Sequence, residues 1–230
     1  MPNRIIRITF LFILNGFSFA FAQTNQIKNE GDVKIGREIV MKGIPNQGVV
    51  ACMSCHKENG EGISASGFPQ LAGLNSAYLE KQLQDYKNLM RINPVMQPIA
   101  KALKEEDIKN VVAYFASLPM VEMTEVSKNQ KKLKWGQSIA EKGLWNKGVP
   151  SCYACHAENA VGVGNYFPRL VYQGKKYLMQ QLTDWKKGLR KNDPNQLMKS
   201  VAIKLSPQEM DAVTEYIGTL KIQNKSEAIQ

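Results

Sequence analysis

ACMSCHKENG, residues 51–60, and SCYACHAENA, residues 151–160, hold every cysteine and every histidine of the chain. Each spells Cys-x-x-Cys-His: Cys52, Cys55 and His56 in one, Cys152, Cys155 and His156 in the other. The likeness spreads outward from these motifs. At an offset of 100, KIGREIVMKGIPNQGVVACMSCH (34–56) lies over KWGQSIAEKGLWNKGVPSCYACH (134–156). At an offset of 99, FPQLAGLNSAYLEKQLQDYKNLMR (68–91) lies over FPRLVYQGKKYLMQQLTDWKKGLR (167–190), and at 102, MQPIAKALKEEDIKNVVAYFASL (96–118) over MKSVAIKLSPQEMDAVTEYIGTL (198–220). The register slips in a Gly-rich loop and around Asn93-Pro94 and Asp193-Pro194, compositions where loops absorb length changes. Self-similarity at this period marks a duplicated unit.

Each copy reads as helices joined by loops, without strand-type alternation, so the predicted class is all-α in two domains. Residues 34–42 and 134–142 are predicted short helices ended by Gly43 and Gly143. Leu79, Leu83, Tyr86 and Met90 fall at i, i+4, i+7 and i+11, and Leu178, Leu182, Trp185 and Leu189 repeat the stripe. The last helix of each unit should bury Ile108, Val111, Val112, Phe115 and Leu118, or Met210, Val213, Ile217 and Leu220. Ser206-Pro207-Gln208-Glu209 reads as a capping box, whereas the first copy has Lys104 at that position and relies on Glu105, Glu106 and Asp107 to suit the helix dipole. The predicted layout is a leader at 1–22, domains at 23–118 and 131–220, a linker at 119–130 and a polar tail at 221–230.

Three chemistries use Cys-x-x-Cys. A redox dithiol wants one exposed pair in a βαβ setting, which this pattern does not offer. Zinc modules place their two pairs about 15–20 residues apart, whereas here 96 residues separate Cys55 from Cys152. Covalent haem attachment needs two thiols reaching one macrocycle and a histidine directly after them as proximal iron ligand. Two motifs in register within a repeat point to two covalently bound haem c groups, held by Cys52, Cys55, Cys152 and Cys155, with His56 and His156 on the irons.

Both histidines are thereby spent, so the sixth ligand is Met, Lys, a small molecule or nothing. A methionine is ordinarily a core filler. Of the ten methionines, however, only Met96 and Met198 align with each other, in polar Pro-bearing loops 40 and 42 residues beyond His56 and His156. They are the predicted axial ligands. A thioether favours ferrous iron and raises the potential relative to a second imidazole.

With these residues assembled, the chain resembles a dihaem cytochrome of the cytochrome c4 family, two class I cytochrome c domains in tandem over essentially the whole mature chain. The likeness rests on Cys-x-x-Cys-His, on Phe-Pro-x-Leu at 68–71 and 167–170, on YL-x-x-QL at 78–83 and 177–182, on the Met loops, and on a final helix bearing Tyr114 or Tyr216. The resemblance implies that Gly36 and Gly136 let the first helix of each unit approach the last. It also implies two lobes facing each other with their propionate edges near the domain interface. The chain departs from the family pattern after the histidines, where Lys57 and Ala157 replace the favoured Gly, and at Val171-Tyr172 where the first copy has Ala72-Gly73.

The N-terminus carries Arg4 and Arg7, then the apolar run ITFLFILNGFSFAFA closing on Ala20-Phe21-Ala22, a signal peptide with predicted cleavage after Ala22. An uncleaved anchor is the alternative, but the run is shorter than the ~20 residues a span needs and Asn15 interrupts it. Export to the periplasm suits c-type haem. The formal charge of +10 is lopsided: residues 23–125 hold 11 Lys/Arg against 12 Asp/Glu, residues 126–230 hold 17 against 8. A basic C-terminal domain suits an acidic docking surface on a redox partner and also allows peripheral association with an anionic membrane, while a nucleic-acid role is not expected outside the cytoplasm. The resemblance implies an electron carrier between a quinol–cytochrome c oxidoreductase and a terminal oxidase, not an enzyme. Rival readings are a haem enzyme, such as a dihaem peroxidase or a haem thiosulfate oxidase, and a cytochrome subunit of a larger dehydrogenase, such as a flavoprotein oxidising sulfide.

Overall fold

Glycine at the crossing of two helices organises each half of this molecule. The computed structural model describes residues 31–222; the leader, its cleavage after Ala22 and residues 223–230 of the tail lie outside the described residues. The described part forms ten α-helices and no strand, only isolated antiparallel bridges. The first copy holds α1 (Val33–Lys42), α2 (Met53–His56), α3 (Ser76–Lys87), α4 (Met96–Ala102) and α5 (Glu105–Ser117). The second repeats them as α6 (Gln130–Lys142), α7 (Tyr153–His156), α8 (Lys175–Lys187), α9 (Leu197–Lys204) and α10 (Pro207–Gly218).

α1 packs on α5 and α6 on α10. A Cβ built on Gly36 would lie 1.9 Å from the Asn110 carbonyl oxygen, and one on Gly136 2.1 Å from that of Ala212. Only a residue without a side chain lets the backbones come this close. The apolar faces expected from the sequence close around these crossings: Ile108, Val111, Val112 and Phe115 are buried with Ile39 and Val40, and Val213 and Ile217 with Ile139 and Ala140. α1 is capped by the Asp32 carboxylate, which accepts from the Lys34 and Ile35 amides at 2.7 and 3.1 Å. α6 starts at Gln130, four residues before the predicted start, because Asn129 caps it by accepting from the Lys132 amide at 3.0 Å.

Ser206 and Glu209 form the expected reciprocal cap on α10, at 3.2 and 2.7 Å. At α5 the Asp107 carboxylate accepts from the Lys104 amide at 3.0 Å, supplying half of that arrangement. The predicted stripes on α3 and α8 pack inward only through their first three members, Leu83 and Leu182 being partly buried. The helices stop at Lys87 and Lys187, leaving Met90 and Leu189 exposed. Their carbonyls instead tie the copies together, accepting from Lys191 N at 2.8 Å and Ile92 N at 2.7 Å.

Residues 119–129 carry no helix but are pinned along their length. Glu125 N donates to Gly218 O at 2.8 Å, and its carboxylate accepts from Ser64 of the first copy and from Lys175 N of the second. Ser127 donates to Glu215, which also meets Lys132 and Lys175. The Phe-Pro-x-Leu loops of the two copies touch directly: Gln70 N donates to the Gln173 carboxamide at 3.0 Å, Gln173 returns a bond to Gln70 O at 2.7 Å, and Arg169 reaches Ala72 O at 2.8 Å.

Candidate functional site

Each Cys-x-x-Cys-His segment is a single helical turn, closed by His56 N to Cys52 O and His156 N to Cys152 O, both at 2.9 Å. One turn places the two sulfurs and the imidazole around one volume. The chain must then reverse, and it does so at Lys57 (φ 59, ψ 164) and Ala157 (φ 62, ψ 165). This conformation is essentially a glycine one, which gives the physical reason for glycine at that position and shows that two side chains tolerate the strain here. Tyr172 likewise keeps a φ of 66, the value of its counterpart Gly73, with its ring fully buried and its hydroxyl accepting from Ile222 N at 3.0 Å.

Both imidazoles are buried. His56 Nδ1 lies 3.0 Å from Pro69 O and His156 Nδ1 2.8 Å from Pro168 O. A carbonyl only accepts, so each Nδ1 carries the proton and each Nε2 presents its lone pair. Phe68 and Phe167 stand edge-on to the rings at 6.3 Å. The Phe-Pro-x-Leu loop therefore sets ring orientation and tautomer together, the usual partner arrangement for a metal-bound histidine. Burial, chiefly, pushes both imidazole pKa values down, and the Arg190 guanidinium adds to this at His156. His156 Nε2 is buried with no hydrogen-bond partner. A buried orphan lone pair is a ligand position waiting for an electrophile.

The four cysteines are free thiols, none in a disulfide. Burial pushes Cys52 and Cys152 up to about 11. At neutral pH these are thiols, whereas dithiol redox chemistry and zinc binding both use thiolate. Among the described residues no group of three or more His, Cys, Asp or Glu side chains stands close enough together to hold a metal ion. Sheltered thiols beside an oriented histidine fit a porphyrin bonded to both cysteines, with iron over Nε2.

The structure places Met96 at the first position of α4 and Met198 at the second of α9, so both lie in short helices rather than in the loops predicted. Both are half-buried. Asn93 fixes the first, accepting from the Val95 and Met96 amides at 3.0 and 2.9 Å. Asp193 fixes the second, accepting from Lys199 N at 2.9 Å and from the Trp185 indole at 3.1 Å. The second approach is more strained, since Asn195 and Gln196 both adopt left-handed φ values, 53 and 56.

A group that sequence reasoning passed over lies between the copies: Tyr78, Gln82 and Arg91 interlock with Tyr177, Gln181 and Arg190. Their signal was present as three polar identities at the constant offset of 99; Tyr78, Gln82 and their counterparts enter the sequence reading only as part of the repeated YL-x-x-QL pattern, and the arginines only as the ends of the matched segments.

The Cytochrome c family profile matches residues 33–119 and 136–221. A thiosulfate dehydrogenase electron acceptor of Stutzerimonas stutzeri (strain A1501) is 39% identical over 185 residues, covering 80% of this chain and 86% of that protein. Among solved structures, reduced recombinant cytochrome c4 from Pseudomonas stutzeri matches with a TM-score of 0.71 at 32% identity, over 83% of this chain and all of that one. The thiosulfate dehydrogenase (TsdBA) from Marichromatium purpuratum matches with a TM-score of 0.78 at 35% identity, over 82% of this chain. This chain spans 40% of that longer one.

Proposed function

This chain belongs to the cytochrome c family, and on that premise we propose what it carries electrons between. It is a dihaem c-type cytochrome of the cytochrome c4 kind, an electron carrier with two tandem domains and one covalent haem c in each. The donor we propose is a dehydrogenase oxidising thiosulfate, in place of the quinol–cytochrome c oxidoreductase expected from sequence. The supporting observation is the 39% identity to a thiosulfate dehydrogenase electron acceptor over 80% of the chain. A terminal oxidase is the proposed acceptor and the periplasm the proposed compartment. Among the described residues no helix is long and apolar enough to cross a membrane. Service between a quinol–cytochrome c oxidoreductase and an oxidase is the second reading, favoured by the match to cytochrome c4 along that protein's full length.

Haem c supplies an iron that exchanges one electron between ferric and ferrous states. In this reading Cys52, Cys55, Cys152 and Cys155 hold the porphyrins through thioethers, and His56 and His156 bind through Nε2. Pro69 and Pro168 keep the proton on Nδ1 through both oxidation states, so no proton has to move with the electron. Met96 and Met198 would supply the remaining ligand to each iron, a thioether that favours the ferrous state and suits a carrier rather than a catalyst. The residues that orient the ligands sit on backbone tied across the two domains, which limits reorganisation on electron transfer.

Two measurements test this. The oxidised protein should show a weak near-red sulfur-to-iron band that Met96→Ala and Met198→Ala each diminish; a parent spectrum without it rejects the methionine ligation. Stopped-flow mixing with thiosulfate-reduced thiosulfate dehydrogenase should reduce both haems faster than mixing with reduced quinol–cytochrome c oxidoreductase. The reverse order rejects the proposed donor.

A further inference from the structure

The linker crosses the seam between the domains once, and the seam has two sides. The copies face each other about an approximate twofold, under which Ile92 N to Leu189 O at 2.7 Å and Lys191 N to Met90 O at 2.8 Å are images of one another. Residues 119–129 occupy one side. The Glu125 carboxylate accepts from Lys175 N in the first turn of α8 at 3.0 Å, and from Ser64 on the loop before Phe68. Glu125 N donates to Gly218 O at the end of α10 at 2.8 Å, and Ser127 donates to Glu215 on the same helix. The groups beneath are covered: Ile63, Ser64 and Lys175 are half-buried and Gly174 is buried.

The twofold maps this seat onto Val163 and Gly164 of the second copy, Asn75 and Ser76 at the start of α3, and Ala113 and Ala116 on α5. Here Val163, Gly164, Asn75 and Ser76 are all exposed, the apolar Val163 to 55%. Among the described residues a Cβ built on Gly164 meets nothing within 4 Å, whereas one built on Gly174 would strike Ser64. The mirrored seat is nonetheless furnished. Asn75 caps α3 by accepting from Tyr78 N at 3.2 Å, so the Ser76 amide, the image of Lys175 N, has no acceptor within its helix. The Ala116 carbonyl, the image of Gly218 O, stands in the last turn of α5, where carbonyls lack donors within the helix. An extended acidic segment would suit these groups as the linker suits theirs.

The chain carries such a segment. The repeat at an offset of 102 does not stop at Leu220: Ile222 lies over Met120, and Ser226-Glu227-Ala228 over Thr124-Glu125-Val126. The second anchor changes at both its ends together, since Ser127 and Glu215 correspond to Ile229 and Ala113, a polar pair exchanged for an apolar one. The described chain already sets out on the mirrored path. Met120 passes beside Gly73, and Tyr172, the counterpart of Gly73, holds Ile222 N at 3.0 Å. We propose that residues 223–230 form a second strap, laid across the far side of the seam in the seat that mirrors the linker's, with the Glu227 carboxylate accepting from Ser76 N and Ile229 packed on Ala113. Val163 and Gly164 belong to the loop whose Pro168 carbonyl orients His156. The strap therefore ties that loop to the first domain, as the linker ties the Pro69 loop to the second.

The test is amide hydrogen exchange, followed by nuclear magnetic resonance, on the reduced holoprotein and on a chain ending at Ile222. The shorter chain keeps all ten helices of the described fold. In the full chain the Ser76 amide should exchange about tenfold more slowly than in the shortened one, as a hydrogen bond to a carboxylate requires. The resonances of Val163 and Gly164 should shift between the two chains. Glu227→Gln, in the full-length protein, should lose most of the Ser76 protection. Lys175 N, held by Glu125 on the other side, should be unaffected by either change. Equal exchange of Ser76 in the full and shortened chains overturns the inference. So does protection that appears only as protein concentration rises, which puts the tail of a second copy in the seat. Protection that appears only on adding thiosulfate dehydrogenase overturns it as well, because the occupant is then a segment of the partner.

Discussion

Gly136→Ala should unfold the second domain at markedly lower temperature, although it adds one methyl group and improves helix propensity. The new Cβ would stand 2.1 Å from Ala212 O, 2.7 Å from its carbonyl carbon and 2.8 Å from Tyr216 Cβ. A saturated carbon and a carbonyl oxygen rest at about 3.3 Å or more, so α6 and α10 must part by about 1 Å. All three obstacles are backbone or the first side-chain atom, so none can rotate away. Overpacking of this kind costs about 1–3 kcal/mol, and rigid obstacles place it at the upper end. The better helix propensity of alanine returns about 1 kcal/mol. The net loss of roughly 2 kcal/mol corresponds to a fall in Tm of roughly 8–16 °C for a domain of this size. Separation also disturbs the haem segment, because Tyr216 meets the hydroxyl of Tyr153, the residue after Cys152, at 3.3 Å. Thermal unfolding of the holoprotein, followed by far-ultraviolet circular dichroism and by the Soret band, measures both effects. Ser138→Ala, on the exposed face of the same helix, is the control and should leave Tm nearly unchanged or slightly raised. A Gly136→Ala protein as stable as the parent would refute the argument from close approach.

The strained reversals after the histidines predict the opposite sign. Lys57→Gly and Ala157→Gly should each stabilise by about 1 kcal/mol, the strain relieved less the entropy of a freer unfolded chain; chemical denaturation that shows either variant weaker than the parent rejects the strain. Ser127, with Lys175 and Lys132, holds the Glu215 carboxyl down to about 2, well below its ordinary 4.5. A depressed folded pKa contributes stability that is complete above about 4.5 and disappears as pH falls toward 2. Acid titration followed by near-ultraviolet dichroism should therefore show a transition in that window that Glu215→Gln weakens, and an unchanged curve in the variant would exclude Glu215 as its source. The lopsided charge predicts that reduction of an acidic partner slows steeply between low and physiological ionic strength, whereas a flat salt dependence in stopped flow would discount electrostatic docking.

The sequence carried the covalent chemistry because that chemistry is local. Two thiols and an imidazole within one turn are a pattern of five residues, and the duplication made it legible twice. Helix caps were readable for the same reason, as at Ser206 and Glu209, where the bonds span three residues. The reach of α3 and α8 was overestimated, since hydrophobic periodicity runs on through Met90 and Leu189 while the backbone turns away after Lys87 and Lys187. Met96 and Met198 were expected in loops but lie in short helices, because Asn93 and Asp193 hold the starts of α4 and α9 within segments whose prolines read as loop. The interface was least legible. Its bonds join residues about 90–110 positions apart, from Arg91 with Gln181 to Arg190 with Tyr78, and no local period encodes them.

Duplication does offer a way to read such an interface. Where two copies face each other about an approximate twofold, a residue that contacts its own counterpart's neighbours must satisfy the same demand from both sides. Tyr78 with Tyr177, Gln82 with Gln181 and Arg91 with Arg190 meet that demand and are identical. Positions serving one side only are free to differ. Gln70 and Arg169 occupy the same place in the two Phe-Pro-x-Leu loops, yet Gln70 bonds to the Gln173 side chain while Arg169 reaches Ala72 O. Gly73 and Tyr172 share a backbone conformation but not a side chain, and only the tyrosine secures residue 222. At the seam itself, polar identity thus accompanies the crossed bonds, whereas divergence at matched positions accompanies bonds that one domain makes alone. The excess lysines of the second copy, largely without counterparts in the first, belong to a surface that one domain presents by itself, whereas the paired arginines bond across the seam from both sides.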